Sequence, residues 1–155
     1  MTVRVAELQD AEAIVGLINA AFVVERFFLD RDRTNLTEVL GFFETGTFLI
    51  AVSENGALDG CVYIERRGER AYLGLLSIHP SRQRSGLGAR LAAAAEKYCF
   101  DMGCRFIDLR TVNVRVELPA FYRKLGYQET GTSPFPADVE TRMPCHFVHM
   151  SKPLT

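Results

Sequence analysis

Ile78-His79-Pro80-Ser81-Arg82-Gln83-Arg84-Ser85-Gly86-Leu87-Gly88-Ala89-Arg90 lies between two apolar segments of different period. Before it, Ala71-Tyr72-Leu73-Gly74-Leu75-Leu76-Ser77 is an apolar run bounded by charge, which predicts a strand. After it, Leu87, Leu91, Ala94, Ala95, Tyr98 and Met102 recur at helical spacing, which predicts an amphipathic helix. A strand, a turn with two glycines and a helix make a backbone that can hold an anion. The first N–H groups of a helix have no partner inside it, and the macrodipole puts partial positive charge on them. Gly86 and Gly88 remove Cβ atoms that would block close approach, and Arg82 and Arg84 add cations. A phosphate or diphosphate fits there. An ordinary solvated helix start has the same pattern, and spacing alone does not separate the two. Neither the Lys-Ser/Thr of a P-loop nor the third glycine of a dinucleotide fold follows.

A chain of 155 residues predicts one domain over 1–155 with a substantial core. Its 48% hydrophobic and 24% charged residues are those of a globular soluble protein. A net charge of −1 gives no electrostatic case for nucleic acid or a membrane surface as a partner. The N-terminus lacks a signal-type apolar run, and no stretch reaches the length of a membrane span. Cys61, Cys99, Cys104 and Cys145 lack zinc spacing and sit in apolar segments. They read as buried free thiols in a reducing cytoplasm.

In chain order, Val3, Val5 and Leu8 predict a short first strand. Asp10 is placed to cap a helix carrying Ile14, Leu17, Ile18, Ala21, Phe22 and Phe28 along one side. After the charged break Asp30–Arg33 a second helix starts near Thr37, apolar enough either to pack in the core or to roof a pocket. Phe48–Val52 and Leu58–Glu65 predict strands joined through the hairpin signal Asn55-Gly56. Arg67-Gly68-Glu69 turns the chain into the strand Arg70–Ile78. Helix Gly86–Met102 ends at Gly103, and Cys104–Val112 predicts a buried strand. Strand, crossover helix and strand imply one parallel pair in a mostly antiparallel sheet. Pro119 and Gly126 bound a short helix with Leu118, Phe121, Tyr122 and Leu125 in one stripe, so by spacing Tyr122 is a core aromatic. Strands near Tyr127–Gly131 and Cys145–Ser151 flank a loop with Pro134 and Pro136.

Two motifs carry a resemblance. Gln83-Arg84-Ser85-Gly86-Leu87-Gly88 resembles the Gln/Arg-x-x-Gly-x-Gly/Ala acyl-coenzyme A signature of the GNAT superfamily of N-acetyltransferases. Phe121-Tyr122-Arg123-Lys124-Leu125-Gly126-Tyr127 resembles that family's second motif, and the two stand in the family's order. The resemblance covers Val3 to Ser151. It implies an α/β fold of the α+β type: a mixed sheet of about seven strands, about four helices, and one parallel pair that splays to admit the cofactor. It implies acetyl-CoA as acyl donor, its diphosphate on the N–H groups from Arg84 to Ala89. Gln83, Arg84, Ser85, Gly86, Leu87, Gly88 and Ala89 then form the diphosphate site. Leu76, Ser77 and Ile78 would pair with the pantetheine arm. Gly74 marks either a close approach or a tolerated defect.

The implied reaction is attack of an amine on the thioester. An alkyl amine with a pKa of about 10.4 must lose a proton, at roughly 4–5 kcal/mol at pH 7. The departing thiolate needs a hydrogen bond or a proton, and the resemblance gives that role to Tyr122. Tyr72 stands where histone-type members carry a glutamate base, so Glu25, Glu65, Asp30 and His79 are the alternative bases. The asparagine many members carry before the tyrosine is Arg115 here; Asn113 could reach the cofactor instead, and Arg115 an acidic group on the substrate. The first two helices and the loop Thr132–Pro144 would choose the acceptor. A small-molecule amine is the expected substrate; a protein or peptide acceptor, and a coenzyme A-binding sensor or partner-binding module without turnover, are the alternatives. The motifs fix no oligomeric state, and a homodimer is compatible with them.

Overall fold

In the computed structural model, which describes residues 1–155, one mixed sheet of seven strands is flanked by four α-helices. The strands are β1 (Thr2–Val5), β2 (Thr47–Val52), β3 (Leu58–Arg67), β4 (Arg70–Ile78), β5 (Phe106–Val112), β6 (Gln128–Pro134) and β7 (His146–Pro153). The helices are α1 (Ala11–Ala21), α2 (Leu36–Thr45), α3 (Leu87–Asp101) and α4 (Glu117–Lys124). The sheet order is β1-β2-β3-β4-β5-β7-β6, and β4 with β5 is the one parallel pair. This is the expected α/β architecture.

Successive strand residues point to opposite faces, and β2 is apolar throughout because both of its faces are covered. Phe48 and Ile50 turn to α1 and α2, where they meet Ile14, Leu17, Ile18 and Val39. Leu49 and Ala51 turn the other way, into a core with Leu87, Leu91, Ala95 and Cys99 of α3 and Tyr122 of α4. Beyond β4 the first of these faces loses its helices. The surface of β4, β5 and β7 on that side is therefore left for something else.

Several boundaries differ from expectation for identifiable reasons. Asp10 does not cap α1 with its side chain. It accepts from the Glu7 N–H at 2.8 Å and from Arg4 at 3.0 Å, closing a 3₁₀ turn over Leu8–Asp10. The first strand accordingly stops at Val5, and Leu8 is exposed. Helix α1 ends at Ala21 and passes into a second 3₁₀ turn, Phe22–Glu25, so Phe28 is buried from a loop and not along a helix. Helix α2 is capped by Asn35, whose side chain accepts from the Glu38 N–H at 2.9 Å. Strand β6 runs on to Pro134, at the sheet's edge where a missing N–H is tolerated.

Helix α3 reaches the sheet through Gly60 of β3. A Cβ added there would lie 2.7 Å from Leu91 Cδ1, 3.1 Å from Ile78 Cδ1 and 3.2 Å from the Ser77 carbonyl oxygen. Filling that space displaces the helix that carries the glycine turn. Gly60→Val is expected to destabilise the protein by about 1–3 kcal/mol, read as a lower urea midpoint. An unchanged midpoint would show that α3 backs away without cost.

Candidate active site

The site begins where β4 and β5 stop pairing. Arg70, Ala71 and Tyr72 pair with Phe106, Ile107 and Asp108, and the ladder goes no further. At the closed end Arg70 donates to both Asp108 oxygens, at 2.7 and 2.6 Å, and Ser151 adds a third bond at 2.8 Å. These bonds, the Arg70 pair foremost, hold the Asp108 carboxyl below the usual carboxylate range.

Beyond Tyr72 the strand bends away. Tyr63 pairs with Gly74 and Cys61 with Ser77, so three steps along β4 match two along β3. That is a β-bulge. It is taken up at Leu75, which sits at φ 53, a left-handed conformation that a branched aliphatic side chain rarely adopts. From Leu73 to Ile78 the outer edge of β4 faces a gap in place of a strand. Across the gap on β5, Thr111 is 4% exposed and its hydroxyl has no partner. Unpaired strand edges and a buried orphan hydroxyl are groups that need a ligand.

At the far end of the gap lies the glycine turn. Gly86 has φ +82 with open space around its Cβ position, so glycine is needed there for conformation alone. A Cβ on Gly88 would meet nothing nearer than Phe121 Cζ at 3.4 Å, so the protein leaves the room unused. Arg84 is also left-handed, at φ 64. The N–H groups of this turn and of the first turn of α3 form an anion-binding hollow. Arg82 is drawn back towards Asp59, 3.5 Å away, whereas Arg84 makes no ion pair. Ser85 donates its hydroxyl to the Arg82 carbonyl, and Gln83 reaches the Ile78 carbonyl at 3.5 Å. His79 accepts from the Ser81 N–H at 3.1 Å and so caps the 3₁₀ turn Pro80–Arg82.

Tyr122 lies in the core beneath α3 and α4. It is 7% exposed, set edge-on between Phe121 and Tyr127 with ring centroids 5.0 and 5.6 Å away. Its hydroxyl bonds no protein group. Burial pushes its pKa up; the Arg115 charge opposes this, and a charge at Tyr72 would add to it. The phenol is thus protonated across the working pH range, with its proton uncommitted. Tyr72 lies flat over Gly74, where a Cβ would stand 2.9 Å from its Cε2, and Arg67 covers its ring at 4.7 Å. The close approach that Gly74 permits is therefore made by Tyr72.

On the α1/α2 side the gap opens into a cavity of about 450 Å³ lined by Tyr63, Glu65, Arg67, Tyr72, Arg110 and His149, among others. Of the four alternative bases only Glu65 is there. It accepts from the Tyr63 hydroxyl and from Arg67, each at 2.7 Å, and these bonds hold its pKa low, Tyr63's first. Burial pushes Tyr63 itself up to about 12. Glu25 is buried against Arg115 at 2.7 Å, and that burial raises its carboxyl. Asp30 is on the surface, held by Arg142 at 2.6 Å. Arg115 is consumed by Glu25 and by Glu117 at 2.6 Å, so it does not face a substrate. Asn113 accepts from the His146 N–H at 2.7 Å, which pins β5 to the start of β7 and leaves only its amide nitrogen free.

Sequence reasoning missed Arg33, Arg110, His149 and Thr111. Strand alternation is the one signal for the last three, with Arg110 and His149 opposed across β5 and β7, whereas Arg33 lies in the loop before α2 and has none.

The acetyltransferase (GNAT) family model matches residues 9–127. The chain belongs to the GNAT family. The family is one of acetyltransferases, and one structural neighbour was solved with AcCoA. Among curated relatives, mycothiol acetyltransferase of Pseudarthrobacter chlorophenolicus is 29% identical over 127 residues, 77% of this chain. The chain spans 39% and 51% of the lengths of the curated relatives it matches. A phosphinothricin acetyltransferase of Sinorhizobium meliloti, solved with AcCoA, superposes with a TM-score of 0.80 at 18% identity, over 99% of this chain and 88% of its own. A ribosomal-protein-alanine N-acetyltransferase of Brucella melitensis gives 0.80 at 17% identity, over 99% of this chain and all (100%) of its own. These structural likenesses show that the GNAT fold is shared.

The Arg70–Asp108 pair closes this GNAT sheet where the strands part, and it has a pH signature. A carboxyl held low in the folded state stabilises above its unfolded pKa of about 3.9, and the stabilisation is lost as pH falls through the lower folded value. Asp108→Asn is expected to flatten the acid limb of the stability–pH curve, measured by thermal unfolding from neutral to strongly acid pH. An unaltered limb would remove the pair from acid stability.

Proposed function

We propose that this GNAT protein transfers the acetyl group of acetyl-CoA to the primary amine of a small molecule. One observation carries the reading: the pairing of β4 with β5 stops at Tyr72, and the gap beyond it, which leads along β4 towards the glycine turn, opens into the cavity lined by Tyr72, Gly74, Leu75 and Glu65. A donor enters from one side and an acceptor from the other.

In this reading the diphosphate rests on the N–H groups from Arg84 to Ala89, with Gln83, Ser85 and Gly86–Gly88 shaping the hollow. The pantetheine amides pair with the bare edge of β4 at Leu76 and Ile78, Ser77 holding the bulge through its bond to the Leu75 carbonyl at 2.8 Å. Thr111 and the free amide nitrogen of Asn113 offer further contacts from β5. The thioester then lies between Tyr72 and Tyr122.

The amine nitrogen attacks the thioester carbonyl carbon, the carbon–sulfur bond breaks, and the thiolate leaves towards Tyr122. Proton transfer from a phenol of pKa about 10 to a thiolate of about 8.5 is uphill by roughly 2 kcal/mol, and burial widens the gap. Tyr122 therefore supplies mainly a strong hydrogen bond to the sulfur. Attack needs the free amine: Glu65, ionised and cross-strand from Tyr72, attracts the ammonium and takes one proton from it through water beforehand, and the second N–H proton, lost as the adduct collapses, ends on the departing sulfur. Tyr72 fills the space between and orients the acetyl group. Residues 1–155 act as one catalytic unit, and the buried thiols of Cys61 and Cys99, pushed up to about 12 by burial, suit a cytoplasmic setting where they stay inert.

Thiol release from acetyl-CoA over a panel of small amines tests the reading. Tyr122→Phe is expected to lower turnover by about 10²–10⁴-fold with donor affinity retained. An unchanged rate would remove Tyr122 from the mechanism, and absence of transfer across the panel would sink the small-molecule assignment.

A further inference from the structure

The charges around the acceptor cavity do not balance. Its lining carries Arg33, Glu65, Arg67, Asp108 and Arg110. Both carboxylates are already taken, Glu65 by Arg67 at 2.7 Å and Asp108 by Arg70 at 2.6 Å. Arg33 is 4.0 Å from Glu38. Arg110 has no carboxylate partner; its guanidinium carbon sits over the Phe147 ring, 4.0 Å from the centroid. That contact leaves the N–H groups free, as two parallel bonds to an oxyanion require. His149 sits opposite Arg110 on β7, and its Nε2 is engaged by the Ser133 hydroxyl at 2.6 Å. The unpaired charge of the lining is thus the Arg110 guanidinium, while Glu65, beside the Tyr63 and Tyr72 phenols and paired with Arg67, still has carboxylate lone pairs to offer a donor.

We infer that the acceptor carries an oxyanion, a carboxylate or a phosphonate, as well as its amine, and that Arg110 binds it. The inference rests on the acetyltransferase reading for the fate of the amine, but the binding of the anion stands on the charge arrangement alone. An amino-acid-sized zwitterion lies along the cavity with its ammonium at Glu65 and its oxyanion at Arg110. The cavity volume of about 450 Å³ falls within the range of small-ligand sites.

The test compares an α-amino acid, its aminophosphonate counterpart, its carboxamide and its decarboxylated amine, over several side chains. The carboxamide also stands for a peptide N-terminus. Acetyl transfer is followed by thiol release, and acceptor binding by ligand-observed NMR with coenzyme A present. The two anionic members are expected to exceed the neutral ones by about ten- to hundred-fold in kcat/KM, through KM. Which of the two leads assigns the oxyanion. Arg110→Gln collapses that ratio towards one, and Arg110→Lys, which keeps the charge without the fork, restores part of it. Equal use of all four, a preference that survives Arg110→Gln, or no binding of any member overturns the inference. Arg110-dependent binding of the anionic members without acetyl transfer upholds it and overturns the catalytic reading.

Discussion

Two adjacent parallel strands that stop hydrogen-bonding while still inside a sheet pose a problem that something must solve. Backbone N–H and C=O groups left without partners cost about 1–3 kcal/mol each when shut away from water. Here the strands are held apart by the chain itself. The bulge at Leu75 spends one extra residue of β4 against β3, and the Tyr72 ring occupies the place that a side chain on Gly74 would take. On the far side, Asn113 commits its backbone N–H and side-chain oxygen to His146, so the end of β5 follows β7. The gap is therefore built before any ligand arrives. A ligand with amides along its length would complete the ladder.

The same geometry separates two kinds of chemistry. The donor side is made of main chain: a bare strand edge, a left-handed glycine and the first turn of a helix. The acceptor side is made of charged and phenolic side chains on one face of β3, β4, β5 and β7. Tyr72 is half-exposed in the cavity, whereas Tyr122 is buried in the core. Burial keeps the Tyr122 proton in place, and the same low-dielectric surroundings strengthen any bond that its hydroxyl donates. One environment provides both properties.

How much of this was legible follows from the same division. Gly86 announces the turn because its left-handed backbone, at φ +82, favours glycine, so the sequence must spell it out. Helix α3 ended at Gly103, at φ +93, where a C′ glycine was expected. The parting of the strands was not legible. Leu73–Ser77 reads as an unbroken strand, and nothing marks Leu75 as the left-handed residue of a bulge. The Glu25–Arg115 pair joins positions 90 apart, so Arg115 read as a free substrate contact when it is spent inside the fold. Tyr122 read two ways, as a core aromatic and as an acid, and both are compatible with where it lies, in the core with a hydroxyl that bonds no protein group. The loop Thr132–Pro144 read equally as a pocket lining and as an ordinary surface connection. It acts at one remove, through Arg142, which donates its N–H to the Phe28 carbonyl and its guanidinium to Asp30, fastening the segment that precedes α2.

A donor hollow built from amides tolerates wide change in the residues around it, because any sequence that gives a left-handed residue before a helix makes the same hollow. An acceptor site built from a few side chains on strands has the opposite property. Changing Arg110 or His149 alters neither the sheet register nor either core, yet it changes the charge that an incoming molecule meets. Motif and fold therefore identify the donor, whereas acceptor choice is written at positions that the period of a strand places together and no local signature marks. Selectivity in such a protein is cheap to alter and hard to read, and the uncompensated charge on Arg110 is where this chain discloses it.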